Sequence, residues 1–280
     1  MIRLLTRSIG ALPPRLRHLL GSTRLARYVL NELLGSRRMV RRTPEGHDLR
    51  LHPILHAELL SLADLADYEP ELRRTITAVV RPGMMAFDVG ANVGIFTSLL
   101  SSLVGAEGRV VAFEPEETNA ACLDESIRQV PLPNVSLERR AVGRATGSAQ
   151  FDHRGGAFSG RLVGSGGYAV TRNVTPIEVV SLDDYTAGGG PAPDVVKIDV
   201  EGNEMMVLEG MERLLAEHPP ILVCEVHAHL GDSPQAVIDH LHRRGYEILD
   251  PESVSAGTPR RIRQLESRGW FLARPAARTD

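Results

Sequence analysis

The chain has 280 residues, 42% of them hydrophobic and 24% charged, with a formal net charge of −3. That length accommodates one α/β domain with a small appendage; the balance excludes a disordered chain and gives no case for nucleic acid as the main partner. Two cysteines, Cys122 and Cys224, make no disulfide framework and fit a reducing, cytoplasmic setting, and no apolar run approaches the roughly 18 residues of a membrane span.

Charge is unevenly placed. Residues 1–42 hold ten arginines against a single acid, Glu32, and Leu25, Val29, Leu30, Leu33 and Leu34 recur at helical spacing. Residues 1–55 are therefore expected to form a basic, helical N-terminal extension ahead of a main domain at 56–280. Three readings of it stay open: a Leu face packed on the domain, a peripheral contact with an anionic surface such as the inner face of a membrane, or a disordered segment. In "HDLRLHPILHAE", His52 and His56 have the i, i+4 spacing of a metal pair, but Pro53 between them at best opens a helix. A surface helix start beside a substrate pocket is expected there instead.

Residues 56–80 read as helical, closed by Pro82-Gly83. Strand–helix alternation follows: strand "MMAFDV", helix Val93–Val104, strand "RVVAFE", helix Glu116–Val130, strand "VSLERRAV". Residues 143–193 interrupt it with an expected β-hairpin insertion. Its strand is "IEVVSL", its Gly155–Gly167 loop reads as a lid or a plain hairpin tip, and "AGGGPAP" reads as a linker. Alternation resumes with strand "DVVKIDV", helix Asn203–Ala216, strand "ILVCEV", a helix opened by Ser233-Pro234 and stopped at Gly245, and strands "YEILD" and "GWFLAR". This pattern predicts a mostly parallel sheet covered on both faces, with ligands beyond the C-terminal strand ends. Those ends carry Asp88, Glu114, Ala141 and Val142, Asp199, and Glu225 to His227.

The first strand runs into "AFDVGANVGIFT", a glycine turn at a helix start. A dinucleotide pyrophosphate would use such a turn, but the G-x-G-x-x-G fingerprint counted from Gly90 meets Asn92 and Ile95 at its second and third glycine positions. Asp88 would also repel phosphate. A ligand carrying an ammonium and a sulfonium, S-adenosylmethionine, fits a carboxylate there better, and Glu114 can accept both hydroxyls of its ribose.

"FDVGANVGIFT", "VVAFEPEETNAACL", "VVKIDVEGNEMMVLEGMERLL" and "ILVCEVH", in that order, resemble the FkbM family of S-adenosylmethionine-dependent methyltransferases over roughly residues 80–250. The resemblance implies a Rossmann-like class I methyltransferase fold: an α/β chain with a mostly parallel seven-stranded sheet and helices on both faces. It implies that Asp88, Gly90, Ala91, Asn92 and Gly94 cradle the methionine and ribose side, and that Glu114 holds the ribose. Pro115 and Glu116, with Ala141 and Val142 at the end of the third strand, would lie near the adenine, and Asp199 near the methionine. The expected acceptor is a hydroxyl of a small molecule or glycan: a sugar, polysaccharide, glycolipid or polyketide.

A hydroxyl acceptor must lose a proton. Alternation in "KIDVEGNE" puts Lys197, Asp199 and Glu201 on one side, and "EVHAH" does the same for Glu225, His227 and His229. His227 is expected as general base, with Asp199, Lys197 and Glu225 around the reacting atoms. A divalent cation such as Mg²⁺ on Asp199, Glu225 and Glu201 is the alternative; no metal is assigned. Two rival functions stand: an NAD-type oxidoreductase, and a catalytically silent methyltransferase fold that binds a partner.

Overall fold

The structure, a computed structural model, describes residues 38–53, 55–129, 132–152, 161–163, 174–227, 233–264 and 268–276. The helix expected at 22–34, most of the Gly155–Gly167 loop and His229 lie outside the described residues.

The described chain opens with a hairpin of β1 (Met39–Arg42) and β2 (Asp48–Leu51), not with a helical extension reaching residue 55. Period-2 alternation in "DLRL" turns Leu49 and Leu51 inward, where they pack with Val93, Ile95 and Cys122, and the Arg50 amide donates to Ser126 Oγ at 2.8 Å. This hairpin is part of the domain. The expected run over 56–80 is broken into α1 (Ala57–Ser61), a 3₁₀ turn (Leu65–Asp67) and α2 (Pro70–Val79). Asp64 caps the turn by accepting from the Ala66 amide, and Pro70 takes the first helical position of α2 behind Glu69 at φ 45°.

The remaining elements are β3 (Met85–Val89), α3 (Ile95–Val104), β4 (Arg109–Phe113), α4 (Glu117–Gln129), β5 (Val135–Glu138), β6 (Ala141–Val142), β7 (Gly147–Asp152), β8 (Arg161–Leu162), β9 (Val174–Val180), α5 (Leu182–Ala187), β10 (Val195–Ile198), α6 (Glu204–Glu209), α7 (Glu212–Glu217), β11 (Ile221–His227), α8 (Pro234–His242), β12 (Tyr246–Leu249), α9 (Pro251–Ser255) and β13 (Arg268–Pro275). The seven-stranded sheet has the order β12-β13-β11-β10-β3-β4-β5. It is parallel except for β13, which lies antiparallel between β11 and β12. Its strands are buried on both faces: Phe87, Phe113, Ile198 and Cys224 in one core, Ala86, Val110, Val195 and Val223 in the other.

Two expected elements divide where contacts between segments break them. "VSLERRAV" breaks at Arg139-Arg140, whose guanidiniums pair with Asp124 and Glu138 at 2.8 Å, so β5 ends the main sheet and β6 starts a second. The helix expected over 203–216 breaks at Gly210, where an added Cβ would stand 2.0 Å from the Gly143 carbonyl oxygen. The insertion pairs β7 with β9 antiparallel, as expected, within a four-stranded sheet ordered β6-β9-β7-β8. "SLDDY" opens α5, which the sequence reading lacks; Ser181 caps it by accepting from the Asp184 amide at 3.0 Å. Ser233 caps α8 as expected. Among the described residues no helix is long and apolar enough to cross a membrane.

Candidate active site

The turn after β3 is built by backbone. The Gly90 and Ala91 amides both donate to the Phe113 carbonyl, at 3.1 and 3.0 Å, tying the end of β3 to the end of β4. Gly90 stands at φ 77°, and a Cβ on it would meet the Asp199 carbonyl oxygen at 1.9 Å, so only glycine lets β3 and β10 close at this point. Asn92 takes the left-handed conformation at φ 52°, which asparagine tolerates better than most residues, and its Oδ1 accepts from the Val93 amide at 2.8 Å. Gly94, at φ 94°, gives room to Leu123 of α4; its Cβ would lie 2.5 Å from Leu123 Cδ1.

A cavity of about 290 Å³ opens at the C-terminal ends of β3, β4, β10 and β11. Of the residues singled out in the sequence, Gly90, Ala91, Asn92, Glu114, Pro115, Glu116, Ala141, Val142, Lys197, Asp199, Glu201 and Glu225 line it. Asp88, Gly94 and His227 lie behind the wall. Glu58, Tyr68, Glu69, Phe151 and Leu162 also line it, and the sequence reading missed them. Tyr68 and Glu69 come from the irregular turn before α2, and Phe151 and Leu162 from the second sheet. No periodic signal brings those segments to the strand ends.

Glu114 is 5% exposed and joins two loops. Its Oε2 accepts from the Asn92 amide and its Oε1 from the Glu116 amide, both at 2.8 Å. One acceptor site on each oxygen is left for a ligand. Burial and the neighbouring Glu116 outweigh these two bonds and push its pKa up to about 8.

Asp88 is fully buried, with Thr97 Oγ1 donating to Oδ2 at 2.7 Å and Lys197 Nζ 3.2 Å from Oδ1. Its expected contact with a ligand ammonium gives way to a structural role: it anchors Lys197. Its charge is matched there, so what opposes phosphate in the cavity is the set of further acidic residues in the wall, Glu116, Asp199, Glu201 and Glu225. Lys197 donates to the Gly90 carbonyl at 2.8 Å, lies 3.5 Å from Asp199 and stands over the Phe96 ring. Burial opposes its charge, but Asp88, Asp199 and Glu69 outweigh burial and raise its pKa. A lysine held as ammonium cannot take a proton, which removes it as a base.

His227 is 1% exposed. Its Nδ1 lies 3.0 Å from Glu204 Oε1, and its Nε2 lies 3.5 Å from carboxylate oxygens of Glu201 and Glu225. Burial opposes its charge; Glu204, Glu201, Glu225 and Asp199 outweigh burial and hold its pKa at about 9. The ring is not in the cavity wall, and the surrounding carboxylates favour its protonated form, so His227 does not face an acceptor as the expected general base. The predicted convergence of the two strand ends does occur: β10 and β11 are parallel neighbours, and Asp199, Glu201, Glu225 and His227 meet beyond them. A helix does start here, with His56 at its N-cap ahead of α1, but His52 and His56 are buried rather than on the surface. His56 Nδ1 accepts from the His52 amide at 2.8 Å and its Nε2 meets Asn119 Oδ1 at 3.0 Å.

A mostly parallel sheet with one antiparallel strand next to its edge, and a carboxylate-lined cleft at the glycine turn after β3, define a class I methyltransferase fold. A family model described as "Methyltransferase FkbM domain" matches residues 88–248, more than half of the chain. The chain belongs to the FkbM family of methyltransferases. Among its relatives, the hexuronic acid methyltransferase AglP of Haloferax volcanii is 29% identical over 181 residues, 64% of this chain and 70% of that protein. The 31-O-demethyl-FK506 methyltransferase FkbM of Streptomyces tacrolimicus is 30% identical over 228 residues, 68% of this chain and 82% of that protein. The solved structure of methyltransferase FkbM from Methylobacillus flagellatus KT superposes with a TM-score of 0.48 at 19% identity, over 72% of this chain and 47% of that one.

Proposed function

We propose that this methyltransferase uses S-adenosylmethionine to methylate a hydroxyl of a sugar, polysaccharide, glycolipid or polyketide-type acceptor. The observation that carries the reading is Glu114, a carboxylate presented by two backbone amides to a cavity beside a bare glycine turn. Its two remaining acceptor sites suit the neighbouring hydroxyls of a ribose, and the Gly90–Asn92 backbone admits a ligand closely. When bound, S-adenosylmethionine supplies an electrophilic methyl carbon. The chain's own residues orient and desolvate: Glu114 at the ribose, Pro115, Ala141 and Val142 as an apolar wall for the adenine, and Phe151, Leu162 and Tyr68 towards the acceptor.

The acceptor class is supported by the names of two relatives, one acting on a hexuronic acid and one on a demethylated FK506. An NAD-type oxidoreductase is disfavoured by Asn92 and Ile95 in the turn and by the acidic wall. The test is a methyl-transfer screen with isotopically labelled S-adenosylmethionine against uronic acids, neutral glycans and macrolide hydroxyls. Labelled product from any hydroxyl acceptor supports the reading. Tight binding of S-adenosylhomocysteine with no transfer across the whole screen would favour the silent binding protein.

A further inference from the structure

We propose that Asp199, Glu201 and His227 bind a divalent cation such as Mg²⁺ or Mn²⁺ at the rim of the cofactor cleft. The role given to the cation rests on the hydroxyl-methylation reading above; the site itself does not. One ligand atom from each of the three side chains lies within 4.8 Å of the other two. Ligands about 2.1 Å from an ion stand roughly 3–4.3 Å from one another, so small side-chain shifts complete the set.

A second observation concerns how the imidazole is held. Glu204, fully buried, takes the far ring nitrogen: its Oε1 lies 3.0 Å from His227 Nδ1 and also accepts from the Gly202 amide at 3.0 Å. A bound cation would displace the Nε2 proton to water, and the carboxylate on Nδ1 then fixes the tautomer that presents Nε2 inward, the arrangement found behind metal-ligating histidines. Nε2 lies 3.5 Å from Glu201 Oε2. The backbone serves the same end. Glu201 at φ 55° and Gly202 at φ 95° fold the chain back after β10, so that Glu201 reaches across to the end of β11.

Position gives the cation its use. Asp199 and Glu201 line the cavity and His227 lies behind them, so the protein ligands sit on one side and the cleft on the other. A hydroxyl brought to the open side is acidified: its O–H bond breaks, the electron pair stays on oxygen and the proton passes to water. Lys197, tied to Asp88 and Asp199, does not do this work.

The test uses the full chain, stripped with chelator and titrated with Mn²⁺ by electron paramagnetic resonance. The expected result is one Mn²⁺ per chain with nitrogen hyperfine coupling from one imidazole, and binding at least about tenfold weaker in Glu201→Gln. No saturable binding up to millimolar Mn²⁺, bound Mn²⁺ without imidazole coupling, or unchanged affinity in Glu201→Gln would overturn the site. S-adenosylhomocysteine binding on the same sample separates the two proposals. A chain that binds it but takes no Mn²⁺ sinks the cation alone; a chain that takes Mn²⁺ but not S-adenosylhomocysteine keeps the site and sinks the proposed function.

Discussion

Glu114→Gln removes a charge and one acceptor at almost constant shape. In the native protein each carboxylate oxygen accepts a backbone amide at 2.8 Å. The Gln amide nitrogen would face one of those N–H groups donor to donor, and one ribose hydroxyl would lose its acceptor. Loss of one hydrogen bond to a charged acceptor costs about 1.5–3 kcal/mol, or about 10- to 150-fold in affinity. The pKa of about 8 adds a pH signature. Ribose hydroxyls donate best to the ionised carboxylate, so deprotonation favours binding. At pH 7 about a tenth of Glu114 is ionised and at pH 9 about nine-tenths, so native affinity rises about tenfold over that span. Calorimetric titration of S-adenosylhomocysteine into native and Glu114→Gln protein from pH 6.5 to 9 measures both effects. The ratio of the two affinities cancels ionisation of the ligand's own amine. A ratio flat with pH, or below about threefold at pH 9, would refute the placement of the ribose on Glu114.

Three further outcomes follow from the same geometry. Gly90→Ala drives a Cβ to 1.9 Å from the Asp199 carbonyl, backbone against backbone, and should lower stability by several kcal/mol and abolish S-adenosylhomocysteine binding; a native urea midpoint and native affinity would contradict it. Lys197→Met strips the buried Asp88 of its cation and should cost about 3–5 kcal/mol in urea unfolding, much of it recovered in the double variant with Asp88→Asn; strictly additive losses would argue against the pair. Burial holds the pKa of His56 down at about 3. The unfolded chain therefore takes up a proton below about pH 6.5 that the folded one refuses, and stability falls as pH drops from 6.5 towards 3, by roughly 2 kcal/mol at pH 5. His56→Gln should lose that acid slope in urea titrations; an unchanged slope would show that other groups carry it.

The core of the fold was legible because short, fully apolar strands alternate with 3.6-period helices, and because turn residues such as Ser233-Pro234 and Pro82-Gly83 mark their ends. The site was legible to the same depth: strand ends locate ligands in a parallel sheet, and Glu114, Ala141, Val142, Asp199 and Glu225, named from that rule, line the cavity. What stayed hidden depends on partners distant in sequence. Asp88 reads as an exposed ligand until Lys197 is seen to occupy it across the β3–β10 pairing. His227 reads as a free base until Glu204, from a helix 23 residues earlier, is found on its ring. The breaks at Gly210 and Arg139-Arg140 likewise answer to contacts between segments, with the Gly143 backbone and with Asp124, which no local pattern carries.

The most direct measurement is a crystal structure grown with S-adenosylhomocysteine. Ligand density is expected in the cavity over Gly90–Asn92, with both ribose hydroxyls on Glu114 and the adenine against Pro115, Ala141 and Val142. Density for the ligand at any other place, with Glu114 making no contact to it, would contradict the account.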